Sequence, residues 1–264
     1  MNIQIPSLPL LKHRFPFRLA VPSYILPDAI IPNVRFLGPH FDEIELVLFE
    51  SRYQDNLPSR QEIHTLAGLG RDMGLTYNVH LPIDVYLGRN HEARRKRDVE
   101  TIFRFYEATM DLDPSCWILH LEVPPENDQR LPVIEQVEQS LDELLEKGMD
   151  PTRVAIENLD HPLDMLTPAA LPRGFALCQD LGHLMNKGHD LKGHLAVHTG
   201  QTIMFHVHGI DAIRDHKSLS NIPDHLWKTI KTGLAGYTGG VTLEVFSLQD
   251  LLLSCPRLEE LCHA

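Results

Sequence analysis

The 264-residue chain has no uninterrupted apolar stretch near the roughly 18 residues that a membrane-spanning helix requires. We therefore expect no membrane partner. Basic residues are in deficit: 24 Lys and Arg stand against 36 Asp and Glu, for a formal net charge of −12. The basic footprint that a nucleic-acid backbone selects is missing, so no nucleic-acid partner is expected. Cysteines are few. Cys116, Cys178, Cys255 and Cys262 show no Cys-x-x-Cys spacing, which argues against a thiolate cluster and for buried thiols in a reducing compartment. The opening segment, MNIQIPSLPLLKHRFPF, lacks a basic start, a long apolar stretch and a small-residue cleavage site; a cytoplasmic location is the expectation. No low-complexity stretch or linker divides the chain, so residues 1–264 read as one domain, with 1–15 as an N-terminal arm or lid. Oligomeric state is left open.

Eight apolar, β-branched runs are present, at 17–22, 43–49, 75–81, 117–123, 153–158, 175–180, 203–208 and 241–246. Between them lie segments with helical periodicity, clearest at 59–74, 91–110 and 131–148. Ser59 with Glu62 forms a capping-box signature, and Gly148 is placed to end the third helix. Two connections are weaker: 157–175 holds only a short helical piece, and 209–222 reads as a long polar loop over the mouth. Alternating strand and helix implies a parallel sheet, and eight such units in about 250 residues favour a closed (β/α)₈ TIM barrel.

The histidines and acids fall in a pattern. His80, His120, Glu157, Asp180, His183, His206 and Glu244 each stand at the carboxyl end of one of these runs, where barrel strands converge on a single mouth. A lone carboxylate at the end of a buried strand is costly to desolvate, and neighbouring imidazoles point to a shared cation. In Asp180-Leu-Gly-His183 a small Gly182 would permit a tight turn presenting both groups. His206 and His208 are two apart on one strand and so face the same way. Asp215 and His216 follow in the polar loop, and Glu45 lies mid-strand where it would point into the barrel. Ser23, Tyr24 and Glu50 close the first two strands as candidate substrate contacts. Polar groups are expected to gather at the carboxyl ends. Metal ligation is read for His80, His120, Glu157, Asp180, His183, His206, His216 and Glu244, and catalysis for Glu157, Glu244, Asp215 and His208. That many nitrogen and oxygen donors exceeds one tetrahedral ion, so two or three divalent ions are expected, zinc ahead of manganese.

The order of strand ends resembles the xylose-isomerase-like superfamily, which joins sugar isomerases and epimerases with endonuclease IV-like abasic-site nucleases. Its shared Glu, Asp, His and Glu match Glu157, Asp180, His206 and Glu244, and the nuclease branch's added histidines match His80, His120, His183 and the His216-Lys217-Ser218-Leu219 step. One departure stands out. Where that branch has Asp-x-His, Arg214 occupies the acid's place and Asp215 comes one residue late. Segments such as FPFRLAVPSYILPDAIIPNV, DEIELVLFES, GLTYNVHLPIDVYLG, CQDLGHL, HVHGI and RDHKSL are similar to cobamide-remodelling hydrolases of the same superfamily. That resemblance implies metal-dependent opening of the nucleotide loop of vitamin B₁₂-type corrinoids at the ribose–phosphate linkage, giving cobinamide phosphate and an α-riboside. The alternatives are a single-metal sugar-phosphate isomerase or epimerase, an abasic-site endonuclease, and a metal-bearing binding module.

Overall fold

The computed structural model describes residues 8–53, 56–122, 134–159, 163–211 and 214–263. Eight parallel strands close on themselves in sequence order. They are β1 (Arg18–Pro22), β2 (Glu43–Val47), β3 (Thr76–His80), β4 (Trp117–Leu119), β5 (Val154–Glu157), β6 (Ala176–Asp180), β7 (Thr202–Val207) and β8 (Gly240–Leu243). The closing pair aligns Leu19 of β1 with Val241 of β8. Each run foreseen from sequence coincides with one strand: seven are shorter by one to four residues, and β7 keeps its length but is shifted by one. The largest trimming is at β4, which stops just before His120.

The crossovers are α1 (Ile30–Leu37), α2 (Arg60–Met73), α3 (Glu92–Thr109), α4 (Ile134–Glu146), α5 (Thr167–Ala170), α6 (Leu181–Asn186), α7 (Leu191–His198), α8 (Asp224–Leu234) and α9 (Leu248–Glu259). Ser59 and Glu62 do form the capping box at α2, each side chain satisfying the other's backbone N–H. Gly148, just past α4, has φ of +97°, which suits glycine. The connection after β5 is as poor in helix as its sequence suggests: α5 has four residues, preceded by a 3-10 turn at Leu163–Met165. None of the described helices is long and apolar enough to cross a membrane.

Strand side chains alternate between two cores. Those facing outward, including Leu46, Leu119 and Phe205, meet helix residues such as Leu66, Phe105 and Leu141 in one large apolar layer. Inside the barrel, Cys116, Ile118, Ala155, Cys178 and Met204 make a separate small cluster. The same inward face, two residues further along each strand, carries His120, Glu157, Asp180 and His206. The lumen thus changes from apolar packing to ligand chemistry in a single step along the strands.

Two expectations are corrected. Polar groups are not confined to the carboxyl ends, because Glu43, Glu45, Asn78 and Gln179 are all fully buried on the strands themselves. Nor do the described residues of the N-terminal arm, 8–15, form a lid over the mouth. Leu11 is fully buried, Lys12 Nζ donates to the carbonyls of Gly38 and Met73, and the His13 N–H donates to Asp42. Those partners precede β2 and β3, so the segment closes the opposite, amino-terminal end. Residues 1–7 lie outside the described part.

Candidate metal centre

Nine donor side chains meet at the carboxyl-terminal mouth, and three adjoining sets hold all of them. The first is His80, His120 and Glu157; the second is Glu157, Asp180, His206 and Glu244; the third is Asp180, His183, His208 and His216. Within each set the donor atoms lie no more than 4.8 Å apart. Glu157 belongs to the first two and Asp180 to the last two, so neighbouring sets share one carboxylate.

In the first set, Glu157 Oε2 is 2.8 Å from His120 Nε2 and 3.3 Å from His80 Nε2. His80 Nδ1 lies 3.0 Å from the Leu81 carbonyl. Donation there leaves Nε2 with its lone pair toward Glu157, the tautomer a ligand needs. In the second set, His206 Nδ1 faces Glu157 Oε1 at 2.8 Å, Glu244 Oε2 at 3.2 Å and Asp180 Oδ2 at 4.0 Å. Its other nitrogen is 3.0 Å from Glu45 Oε2, and Glu45 also accepts from Thr242 Oγ1 at 3.0 Å. Glu45, foreseen to point inward, stands behind a donor histidine, the position of a carboxylate that orients a metal ligand.

Asp180 is held from three sides. Asn158 brackets its backbone, Nδ2 donating to its carbonyl and Oδ1 accepting its N–H, both at 2.9 Å. Its Oδ1 caps α6 by accepting the His183 N–H at 2.7 Å. His208 Nε2 is 3.2 Å from Oδ1, and His183 Nε2 is 3.8 Å from Oδ2. Gly182 matters here for a reason other than a turn. Its φ is not positive, but a Cβ there would sit 2.1 Å from the His208 ring. Only glycine lets α6 start this close to that imidazole.

The loop after β7 does not hang over the mouth as an open polar segment. Gly209 and Lys217 pair as a short antiparallel bridge, and Ser218 donates its N–H to Asp250. This fold-back delivers His216, whose φ of +53° is left-handed for a non-glycine residue; such strain is concentrated at functional positions. The His216 ring stacks on His208 with centroids 4.2 Å apart. Its Nε2 is 3.3 Å from Glu244 and its Nδ1 2.9 Å from Asp215. Asp215 therefore sits behind His216 rather than beside the donors. His208, expected to be catalytic, takes the place that the displaced acid leaves in the third set.

Charge couples these groups. Burial works to lower the His80 and His208 pKa values, yet nearby carboxylates outweigh it and both are raised. His206 stands well above the ordinary imidazole value: burial works to lower it, and Cys178 followed by Glu157, Glu45 and Glu244 raises it. For His216, burial is overcome by Glu244, Asp180 and Asp215, reaching about 10. Burial would raise Glu157 and Glu244, but His206 and other imidazoles hold both well below the usual carboxylate range. Cys178 lies close to Glu157 and His206, and burial pushes its thiol well up.

The donor set fits divalent ions. Asp180 Oδ2, His208 Nε2 and Glu244 Oε2 are buried with no properly directed hydrogen bond, although each lies close to an oppositely charged group. Leaving such atoms unsatisfied costs about 1–3 kcal/mol each. A cation that accepts several lone pairs at once removes that cost, and the mixture of imidazole and carboxylate suits zinc or manganese.

At the rim, Tyr24 is 55% exposed while Ser23 is buried. The Ser23 hydroxyl accepts the Val47 N–H at 3.1 Å, joining β1 to β2. Both residues line a cavity of about 190 Å³ that reaches α1 and α2. Glu50 is exposed. Sequence reasoning missed Asn158 and the aromatic pair Phe49 and Phe246. Phe49 meets His80 edge-on at 4.6 Å, and Phe246 lies 5.0 Å from His216. The available signal was their position, immediately after β2 and β8.

No protein-family model and no curated protein sequence matches the chain. Solved structures do match in shape. A D-tagatose 3-epimerase-like protein aligns at 19% identity and TM-score 0.74, covering 94% of this chain and 97% of that one. Endonuclease IV from Thermus thermophilus aligns at 16% identity and TM-score 0.69, covering 92% and 99%. A xylose isomerase domain protein from Alicyclobacillus acidocaldarius aligns at 18% identity and TM-score 0.66, covering 94% and 98%. The fold is the (β/α)₈ TIM barrel that these structures share.

Proposed function

We propose that this chain is a metal-dependent phosphodiester hydrolase that opens the nucleotide loop of cobamides, releasing an α-riboside and leaving cobinamide phosphate. The observation that carries the hydrolase reading is the sharing of Glu157 and Asp180 among three donor sets. Sites that share a carboxylate suit two or three ions held close together. Such ions would acidify a water and stabilise both the nonbridging oxygens and the leaving alkoxide. The cobamide assignment rests on the resemblance of the strand-end segments. The chain's net charge of −12 disfavours an extended polyanion such as abasic DNA.

Within this reading Glu157 and Asp180 bridge neighbouring sets. His80 and His120 close one end, and His183, His208 and His216 close the other. Glu244 lies between His206 and His216 and is placed either to ligate or to take the proton from the attacking water. Ser23, Tyr24 and Glu50 stand at the rim for the remote parts of the substrate. The abundance of imidazole favours zinc. Buried free thiols at Cys116, Cys178 and Cys255 suit a cytoplasmic setting.

A second reading has its own support. Glu157, Asp180, His206 and Glu244 alone make a complete single-ion site, with two glutamates available as an acid/base pair, and the similar structures include proteins named as sugar epimerases. Metal-loaded protein is to be incubated separately with a cobamide, an abasic-site duplex and a panel of ketose phosphates, with products read by mass. Cobinamide phosphate and an α-riboside from the first alone is the expected result. An intact cobamide with an epimerised sugar, and about one metal equivalent in active protein, would establish the second reading instead.

A further inference from the structure

A second group of histidines lies outside the mouth, on the crossover between β6 and β7. His189 precedes α7, and His194 and His198 fall one helical turn apart on it, so the last two share a face. His198 is 5% exposed, and its Nε2 is 2.9 Å from Oδ1 of Asp164, in the 3-10 turn after β5. The ring centroids of His194 and His198 are 5.6 Å apart, and those of His189 and His194 are 5.9 Å apart. Asp164, His194 and His198 line a surface cavity of about 270 Å³ together with Asp190, Gly193 and Val197.

We propose that Asp164, His194 and His198, joined by His189, form a peripheral site for a borderline divalent ion of the zinc class, separate from the mouth. Spacing supports it first. Two imidazoles on one tetrahedral ion hold their ring centres about 5 Å apart, given bonds of about 2.0–2.1 Å. The donor rings His183 and His208 at the mouth are 5.4 Å apart, and His183 and His216 are 5.6 Å apart. The outlying pair has the same separation. Unmet hydrogen-bonding capacity supports it second, since His194 Nδ1 and His189 Nε2 are buried with no hydrogen-bond partner. Burial, with His198 and His189 nearby, lowers the His194 pKa, which keeps its lone pair free for an ion. His198 and Asp164 are already close enough to share an ion; His194 and His189 would have to turn about their side-chain bonds to join them.

The placement also gives the ion something to do. Among the described residues, the β5–β6 crossover has one α-helix, the four-residue α5, flanked by short 3-10 turns. A bond through Asp164 would tie that crossover to α7. Imidazole-rich ligation selects zinc, nickel or copper over magnesium and calcium, which take oxygen ligands.

The test uses the full chain titrated with zinc alone. Bound equivalents are counted by elemental analysis, and the ions are located by anomalous diffraction at the zinc edge. Wild-type protein should carry about one equivalent more than His194→Ala or Asp164→Asn, with an anomalous peak between Asp164 and His198. Both variants should weaken that one site at least a hundredfold and leave the ions at the mouth in place. Asp164 is 71% exposed in its side chain, so its variant keeps the test valid if the change at His194 prevents folding. Equal equivalents in wild type and both variants, or less than a threefold change in affinity, would overturn the proposal.

Discussion

The two ends of the barrel lumen both bury carboxylates, but they treat them differently. At the amino-terminal end Glu43 is fully buried and accepts from Arg18 Nε at 2.9 Å and from the Ser115 hydroxyl. Asp42 accepts the His13 N–H at 2.8 Å and the Leu19 N–H at 3.1 Å, one on each oxygen. These acids are met by guanidinium, hydroxyl and backbone donors, with the largely exposed His13 ring also 2.9 Å from Asp42, so none of their oxygens is left unsatisfied. At the carboxyl-terminal end the partners are imidazoles, which hold or release a proton as conditions demand, and several buried atoms stay unsatisfied. Burial of an acid is therefore a poor marker of function in this molecule. Incomplete satisfaction beside titratable partners is the better one.

The sharpest way to break that contrast is to remove one acid from each end. Glu157→Ala deletes a donor common to two sets and should lower metal affinity and turnover by about 10³-fold or more, beyond the 10–100-fold typical of residues behind the ligands. Glu43→Gln should leave metal content unchanged and lower stability by about 1–3 kcal/mol, because Arg18 loses its buried partner. Elemental analysis and denaturant unfolding of the two variants decide the matter. Equal metal loss in both would mean that the two ends are not functionally distinct.

The next effect is on pH dependence. In the metal-free chain the raised imidazoles of His80, His206, His208 and His216 stabilise the fold fully below their ordinary value of 6.5; that contribution disappears as pH climbs through the raised values, about 10 for His216. The lowered carboxylates of Glu157 and Glu244 stabilise it above 4.5 and lose that effect as pH falls through their depressed values. Metal-free protein should thus be most stable between 4.5 and 6.5 and lose about 5 °C or more in Tm toward pH 9. Metal-loaded protein should gain stability over the same rise, because cations replace those protons, and loading at pH 7 should release about four of them. Calorimetry with and without chelator measures both curves. Parallel curves, or loading without proton release, would remove the idea that protons stand in for ions here.

The eight strands and their order were legible because each is a short apolar run ending in a polar group, and that alternation survives without tertiary context. The donors at the mouth were legible for the same reason. What sequence could not reveal depends on the third dimension. Asp215 looked like a displaced ligand because the chain was read in one line. The Gly209–Lys217 bridge turns the loop so that His216 enters the site, and His208 from the preceding strand fills the gap. Gly182 looked like a turn residue, whereas its role is to admit the His208 ring. Glu43 and Arg18 pair across β1 and β2 at the closed end, a contact that strand periodicity does not specify.

The smallest effects separate two carboxylates that each stand behind a donor histidine. Glu45 lies 3.0 Å from His206 and Asp215 lies 2.9 Å from His216, so distance alone would rank them equal. Their surroundings do not. Both Glu45 and His206 are fully buried, and a neutral amide there loses an interaction that water cannot replace. Glu45→Gln should weaken the central ion by about 10–100-fold, the usual range for such partners. Asp215 is 39% exposed, and water screens its pairing with His216. Asp215→Asn should therefore cost only about threefold, because the amide oxygen can still accept from Nδ1 and hold the ring. Chelator-competition titration of both variants reads the difference directly. A larger loss from Asp215→Asn than from Glu45→Gln would show that Asp215 itself binds an ion or the substrate, and does more than support the His216 ring.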